Sequence, residues 1–157
     1  VESKVPLTSF SHLTLWVGNA KQFSRFLQTT MGFEIIAYSG LETGERQRAS
    51  WVLRNGDVIF EVASALGEDN DMGEFLHLHG DGVRDVCFTT TDVEKVYEHA
   101  VRNGAESLAA PITLKDKHGS AKMAAIKSIG DTTHTFVDRT QYTGAFLPGY
   151  EARPAVK

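Results

Sequence analysis

The chain has a single cysteine, Cys87, among its 157 residues. No internal disulfide can form, zinc sites built on cysteine pairs are excluded, and a reducing compartment such as the cytoplasm fits. No apolar run approaches the length of a membrane span. The opening VESKVPLTSF is too polar for a secretory signal, and a start at Val1 rather than Met is the pattern of a chain trimmed upstream. Positive charge is also short. Lys and Arg number 16 against 20 Asp and Glu, a net charge of −4, which argues against nucleic acid or an anionic membrane as partner. Glycine-rich phosphate loops and Ser-His-Asp patterns are missing as well. What remains is ordinary for one medium globular domain, with 41% hydrophobic and 23% charged residues.

Beneath this ordinary composition lies a diverged internal repeat. HLTLWVGNAKQFSRFLQTTMGFE (12–34) aligns with DVCFTTTDVEKVYEHAVRNGAE (85–106). His12 falls on Asp85, Asn19 on Asp92 and Phe23 on Val96, and after one deleted residue Gly32 falls on Gly104. RNGD (54–57) lies over SIGD (128–131), so Gly56 matches Gly130.

Each half reads as strand, helix, then three strands. Leu13, Leu15 and Val17 alternate with His12, Thr14 and Trp16, the period of a strand. Asn19 and Asp92 suit helix N-caps. Phe23, Phe26, Leu27 and Met31 then form one helical stripe, and Val93, Val96, Tyr97, Ala100 and Val101 form the other. Gly32 and Asn103-Gly104 end these helices. Strands are predicted at 34–39, 46–54 and 58–64, and again at 108–115, 120–128 and 133–138. Asn55-Gly56 fits a tight turn with positive φ at both central residues.

The expected fold is α+β: two tandem βαβββ units forming one mixed, curved sheet with helices on its outer face. The divisions are an N-terminal extension (1–9), a first unit (10–66), a polar connector with a short helix at 71–79 (67–81), a second unit (82–142) and a tail (143–157). That tail, TGAFLPGYEARPAVK, reads as an exit linker rather than a finished element.

A repeated βαβββ unit is the organisation of the vicinal oxygen chelate superfold. WVGNAKQ (16–22), GLETGERQRAS (40–50), VLRNGD (52–57), HGDGVRDV (79–86), AVRNGAE (100–106), GDTTHTFVDRT (130–140) and GAFLPGY (144–150) together resemble the N-terminal domain of the 4-hydroxyphenylpyruvate dioxygenase family. The resemblance covers about residues 9–150. It implies Fe(II) oxygenases of tyrosine catabolism, which convert 4-hydroxyphenylpyruvate and O₂ to homogentisate and CO₂, with the 2-oxo acid chelating an iron held by two His and one carboxylate. In the family those ligands sit in a C-terminal pair of units, so they are expected beyond Lys157. On this reading no catalytic, cofactor-binding or metal residue is assigned in the chain, and the N-terminal domain serves architecture. Its partners would be its own C-terminal catalytic domain and further copies in a homodimer or homotetramer, in the cytoplasm.

The superfold also takes metal ligands from the first and fourth strands of a unit. Those slots hold His12 and Glu61 in the first half, Asp85 and Thr135 in the second. Strand parity lets His12 and Glu61 point into one cup, where iron or zinc would accept both. Asp85 replaces a second imidazole poorly and Thr135 cannot replace a carboxylate. The expectation is therefore a vestigial cup in which His12 and Glu61 bond each other or water, with a His12, Glu61 and Asp85 metal site as the alternative. His77 and His79 are expected to face solvent, His99 and His118 to be exposed, and His134 to bond Asp131 or the backbone. Cys87 reads as a small packed side chain, lacking the base a nucleophile needs.

Two functions of different class remain open. One is the non-catalytic N-terminal domain of a dioxygenase. The other is a freestanding two-unit metal- or ligand-binding protein like glyoxalases, extradiol dioxygenases or bleomycin-resistance proteins. The FLPGY exit and missing ligands favour the first; His12 and Glu61 favour the second. A purely interactive protein would need an exposed apolar patch.

Overall fold

Alternation along LTSFSHLTLW makes strand β1 (Leu7–Trp16), and helix α1 (Ala20–Met31) follows. The Asn19 side chain accepts a hydrogen bond from the Gln22 amide at 3.0 Å, a cap whose loss costs about 1 kcal/mol. Gly32 stops α1 at φ 70°, where a Cβ would be strained. Strands β2 (Glu34–Ser39), β3 (Arg48–Asn55) and β4 (Val58–Ala65) complete the first half. Helix α2 (Asp71–His79) crosses to the second half. There the order recurs: β5 (Gly82–Thr90), α3 (Val93–Arg102), β6 (Ser107–Asp116), β7 (Gly119–Lys127) and β8 (Thr133–Asp138). Asp92 caps α3 through the Lys95 amide at 3.0 Å. The computed structural model describes residues 5–67 and 70–153. Residues 1–4 of the expected extension, 68–69 of the connector and 154–157 of the tail lie outside them.

One mixed sheet runs in the order β6-β7-β8-β5-β1-β4-β3-β2, with the short β9 (Glu151–Ala152) outside β2. Each half repeats the same pairing. β1 lies parallel to β4 and β5 parallel to β8, with the other pairs within each half antiparallel. The halves join where β1 and β5 run antiparallel. Helix α1 packs on β2, β3 and β4, and α3 packs on β6, β7 and β8. Under α1, Val17, Ala20, Leu27, Phe33, Leu53 and Val62 form one buried cluster; under α3, Val93, Val96, Ala124 and Phe136 form another. Burying each large apolar side chain contributes roughly 1.5–3 kcal/mol. This is the α+β fold of two βαβββ units that the periodicity predicts. Leu15 and Val17 face the α1 cluster, while His12, Thr14 and Trp16 turn to the opposite, concave face.

Two local expectations are corrected. The β3–β4 loop is Gly56-Asp57 rather than Asn55-Gly56: Asn55 still pairs with Val58, and Gly56 alone takes positive φ, 56°. Asn55 is held in the strand by its side chain, which donates to the Met31 carbonyl at 2.9 Å and ties the hairpin to the end of α1.

The tail, as far as residue 153, is packed rather than a loose exit. Phe146 is 1% exposed and Leu147 is buried, both in a cluster on the concave face with Val52, Cys87 and Val137. The chain then forms β9 (Glu151–Ala152), antiparallel to β2. Arg153 continues the contact, donating its amide to Ile36 O at 3.0 Å and stacking over Tyr38 at 4.7 Å. The apolar Phe146-Leu147 pair has a concave surface waiting for it, which a reading of local composition does not reveal.

Candidate functional site

The concave face holds a cavity of about 630 Å³, and the four slots weighed from sequence all line it. Register explains why. Thr14 of β1 pairs with Glu61 of β4 on one side and Asp85 of β5 on the other, so both carboxyls emerge from neighbouring strands onto one face.

Glu61 is buried, and its oxygens are occupied. Thr14 Oγ1 donates to Oε2 at 2.8 Å, and Tyr150 donates its hydroxyl proton to Oε1. Arg48 places Nη2 3.9 Å from Oε1. Burial alone would raise this carboxyl. Arg48, His12 and the bonds from Tyr150 and Thr14 outweigh burial and hold it below its ordinary value. Because His12 is itself neutral near pH 7, the Arg48 charge leads that group. Burial, reinforced by the Glu61 charge, lifts the Tyr150 phenol well above its usual range, so it stays a donor.

His12 approaches Glu61 Oε2 with Nε2 at 4.0 Å, too long for the hydrogen bond expected between them. Its Nδ1 lies 3.0 Å from Ser11 Oγ. Ser11 accepts from Arg139 Nη2 at 3.2 Å, so its own proton is available to His12. Phe146 packs edge-on against the imidazole at 4.8 Å. Burial, opposed by Glu61 and assisted by Arg139, pushes the His12 pKa down to about 4.

In the second half Asp85 accepts from Thr133 and Thr135 at 2.6 and 3.0 Å, both on Oδ1. Burial raises this carboxyl despite those bonds. Cys87 is fully buried, and burial together with the Asp85 charge pushes its thiol far up, the state of a packed side chain rather than a nucleophile.

The remaining histidines scatter. His134 spans Val86 O at 3.2 Å and Ser128 Oγ at 2.9 Å. Asp131, an expected partner of His134, instead pairs with His79 at 2.5 Å, tying the end of α2 to the β7–β8 loop. His77 and His118 are exposed and His99 is half-buried.

An iron ion does not fit these residues. Both Glu61 oxygens are engaged, the Arg48 guanidinium already supplies positive charge beside them, and two threonines share one Asp85 oxygen. Among the described residues no three His, Cys, Asp or Glu side chains are grouped to hold a metal. Sequence reasoning missed Arg48, Tyr150 and Arg139. Arg48 alone carried a signal, since it shares a strand face with Ser50 and Val52, opposite Glu61. Nothing local marks Tyr150, which reaches Glu61 only through the turn at Pro148-Gly149.

Two βαβββ halves closing around such a cup define a vicinal oxygen chelate protein. A triple mutant of 4-hydroxymandelate synthase from Streptomyces coelicolor superposes with a TM-score of 0.84 at 31% identity, over 96% of this chain and 43% of that one. Methylmalonyl-CoA epimerase from Mycobacterium tuberculosis shares the fold alone, with a TM-score of 0.70 at 11% identity over 87% of this chain and 91% of its own.

The chain belongs to the hydroxyphenylpyruvate dioxygenase N-terminal family, whose model matches residues 2–147. It is 46% identical over 151 residues to 4-hydroxyphenylpyruvate dioxygenase of Dictyostelium discoideum, covering 95% of this chain and 41% of that protein. The same enzyme of Pyricularia oryzae is 46% identical over 159 residues, covering 90% and 38%. The chain thus spans about two fifths of these curated relatives.

Proposed function

We propose that this chain is the architectural, non-catalytic N-terminal domain of an Fe(II)-dependent 4-hydroxyphenylpyruvate dioxygenase acting in tyrosine catabolism. The whole protein converts 4-hydroxyphenylpyruvate and O₂ to homogentisate and CO₂. Iron, when bound in the C-terminal domain, supplies the oxygen chemistry; this domain supplies a rigid body against which that one packs. The whole protein is cytoplasmic and assembles as a homodimer or homotetramer. The observation that carries the division of labour is the state of Glu61. The superfold's carboxylate slot is present, yet tyrosine, threonine and arginine have taken the place a metal would need. The lone cysteine is compatible with a reducing compartment, and among the described residues no helix is long and apolar enough to cross a membrane. The freestanding alternative is favoured only by fold likeness to proteins of this size.

The test compares the 157-residue chain with the full-length protein. The full-length protein, loaded with iron, consumes O₂ with 4-hydroxyphenylpyruvate and releases homogentisate. The chain alone consumes none and retains no stoichiometric iron through gel filtration. Iron retained by the chain and lost in His12→Ala would overturn the reading.

A further inference from the structure

We propose that the open part of the concave cup binds a small zwitterion with an apolar side chain, the chemistry of an apolar α-amino acid. This goes beyond the dioxygenase reading and stands independently of it.

The cavity has two walls of different character. One is apolar: Leu108, Leu114 and Met123 line it, and Leu108 is left 45% exposed. The other carries Arg48, Arg84, Asp85 and Thr133. Two polar groups there have capacity to spare. The Arg48 guanidinium makes no hydrogen bond among the described residues; its approach to Glu61 is a 3.9 Å contact. Its planar fork is suited to a carboxylate. Asp85, 7% exposed, accepts both of its threonine bonds on Oδ1, which leaves Oδ2 for a donor. Arg84 is the more committed cation, stacked 4.6 Å over Trp16 and donating to Asp131 O at 2.5 Å.

Charge decides the ligand class. Glu45, Asp71, Glu61 and Asp85 line the same cavity as the two arginines. A simple carboxylate would meet four acids, and a simple amine would meet two guanidinium groups. A molecule carrying both charges matches both signs, its carboxylate on Arg48 and its ammonium on Asp85, while its side chain covers the Leu108 wall. Such an ammonium would also offset the burial that raises the Asp85 carboxyl.

The probe is L-phenylalanine, titrated into the methyl-labelled chain and followed by NMR. The expected result is saturable shifts at the Leu108, Leu114 and Met123 methyls with a Kd of about 1 mM or tighter. Hydrocinnamate, which lacks the ammonium, and phenethylamine, which lacks the carboxylate, should each bind at least about tenfold more weakly. Arg48→Lys keeps the charge beside Glu61 but loses the fork, and should weaken L-phenylalanine about tenfold while leaving phenethylamine unchanged. Absence of saturable shifts at those methyls, or equal affinity for either single-charge analogue, overturns the proposal using the unaltered chain. Undiminished binding by a folded Arg48→Lys variant overturns the assigned carboxylate contact.

Discussion

Tyr150 donates its hydroxyl to Glu61 across 89 residues of sequence, joining the last described segment of the chain to β4, the final strand of the first half. Its acceptor is buried and ionised, which places the bond among the stronger hydrogen bonds in a protein. It also brings the aromatic ring over the cup, where it packs edge-on with Phe146 at 5.0 Å.

Removing that hydroxyl should therefore be costly. Tyr150→Phe is expected to destabilise the chain by about 1.5–3 kcal/mol in urea denaturation. Tyr142→Phe is the control: it removes an exposed bond to Asp116 of 2.9 Å and should cost less than about 1 kcal/mol. Equal losses in the two variants would show that burial of Glu61 is not what makes the first bond matter.

His12 predicts an acid-side loss of stability. Its folded pKa of about 4 lies below the ordinary 6.5, so the unfolded chain takes up a proton that the folded chain refuses. Stability from this group is fully present above pH 6.5 and is lost as pH falls toward 4, on the order of 3 kcal/mol in all. Denaturation curves across that window should flatten in His12→Gln relative to the unaltered chain.

Asp85 acts in the opposite sense. Its carboxyl is raised on folding, so it penalises the fold at neutral pH and the penalty fades as pH drops through the folded pKa. Asp85→Asn keeps an oxygen for Thr133 and Thr135 while removing the charge. It should leave stability at pH 7 unchanged or higher, measured by urea midpoint, and a marked loss would refute the raised pKa.

Phe146→Ala should remove about 3–5 kcal/mol by opening a cavity between the tail and the sheet. It also uncovers one face of His12, so the imidazole should titrate higher than pH 4 by NMR, and limited proteolysis should now cut within 143–152. An unchanged cutting pattern would mean that β9 alone holds the tail.

Gly119 opens β7 at φ 120°, and a Cβ there would stand 2.2 Å from the Gln141 carbonyl oxygen. Gly119→Ala combines backbone strain of about 1–3 kcal/mol with displacement of the 140–143 segment. Thermal unfolding should show the loss, and Gly44→Ala, whose Cβ meets nothing within 4 Å, should show only the strain.

Much of the architecture was written in local pattern. The strands at 34–39 and 133–138 and the helix at 71–79 follow from period and turn residues, and Asn19 and Asp92 announce their helices because a cap needs only the next three residues. Strand parity also placed His12 and Glu61 on one face. The tail was not legible, since most of what orders Phe146 and Tyr150, namely His12, Val52, Glu61 and Cys87, lies far away in sequence. Nor was the Glu61 cluster: a spacing can show that a carboxylate faces a cup, but not that a tyrosine from elsewhere bonds it and an arginine lies beside it. His79 is exposed, as expected, but its partner was hidden for the same reason. On its helix it looks outward, and only the fold brings Asp131 to it.

The pairing of β9 with β2 leaves the two flanks of the sheet unlike each other. One ends in the two-residue β9, which pairs only with Ala37 and Tyr38; the other ends in the ten-residue β6, and neither has a further neighbour among the described residues. The β6 flank carries Pro111, Lys115 and two register irregularities against β7, the features that discourage a stray strand from annealing. The longer of the two outer strands is therefore where another polypeptide could extend the sheet, and the chain has fenced it.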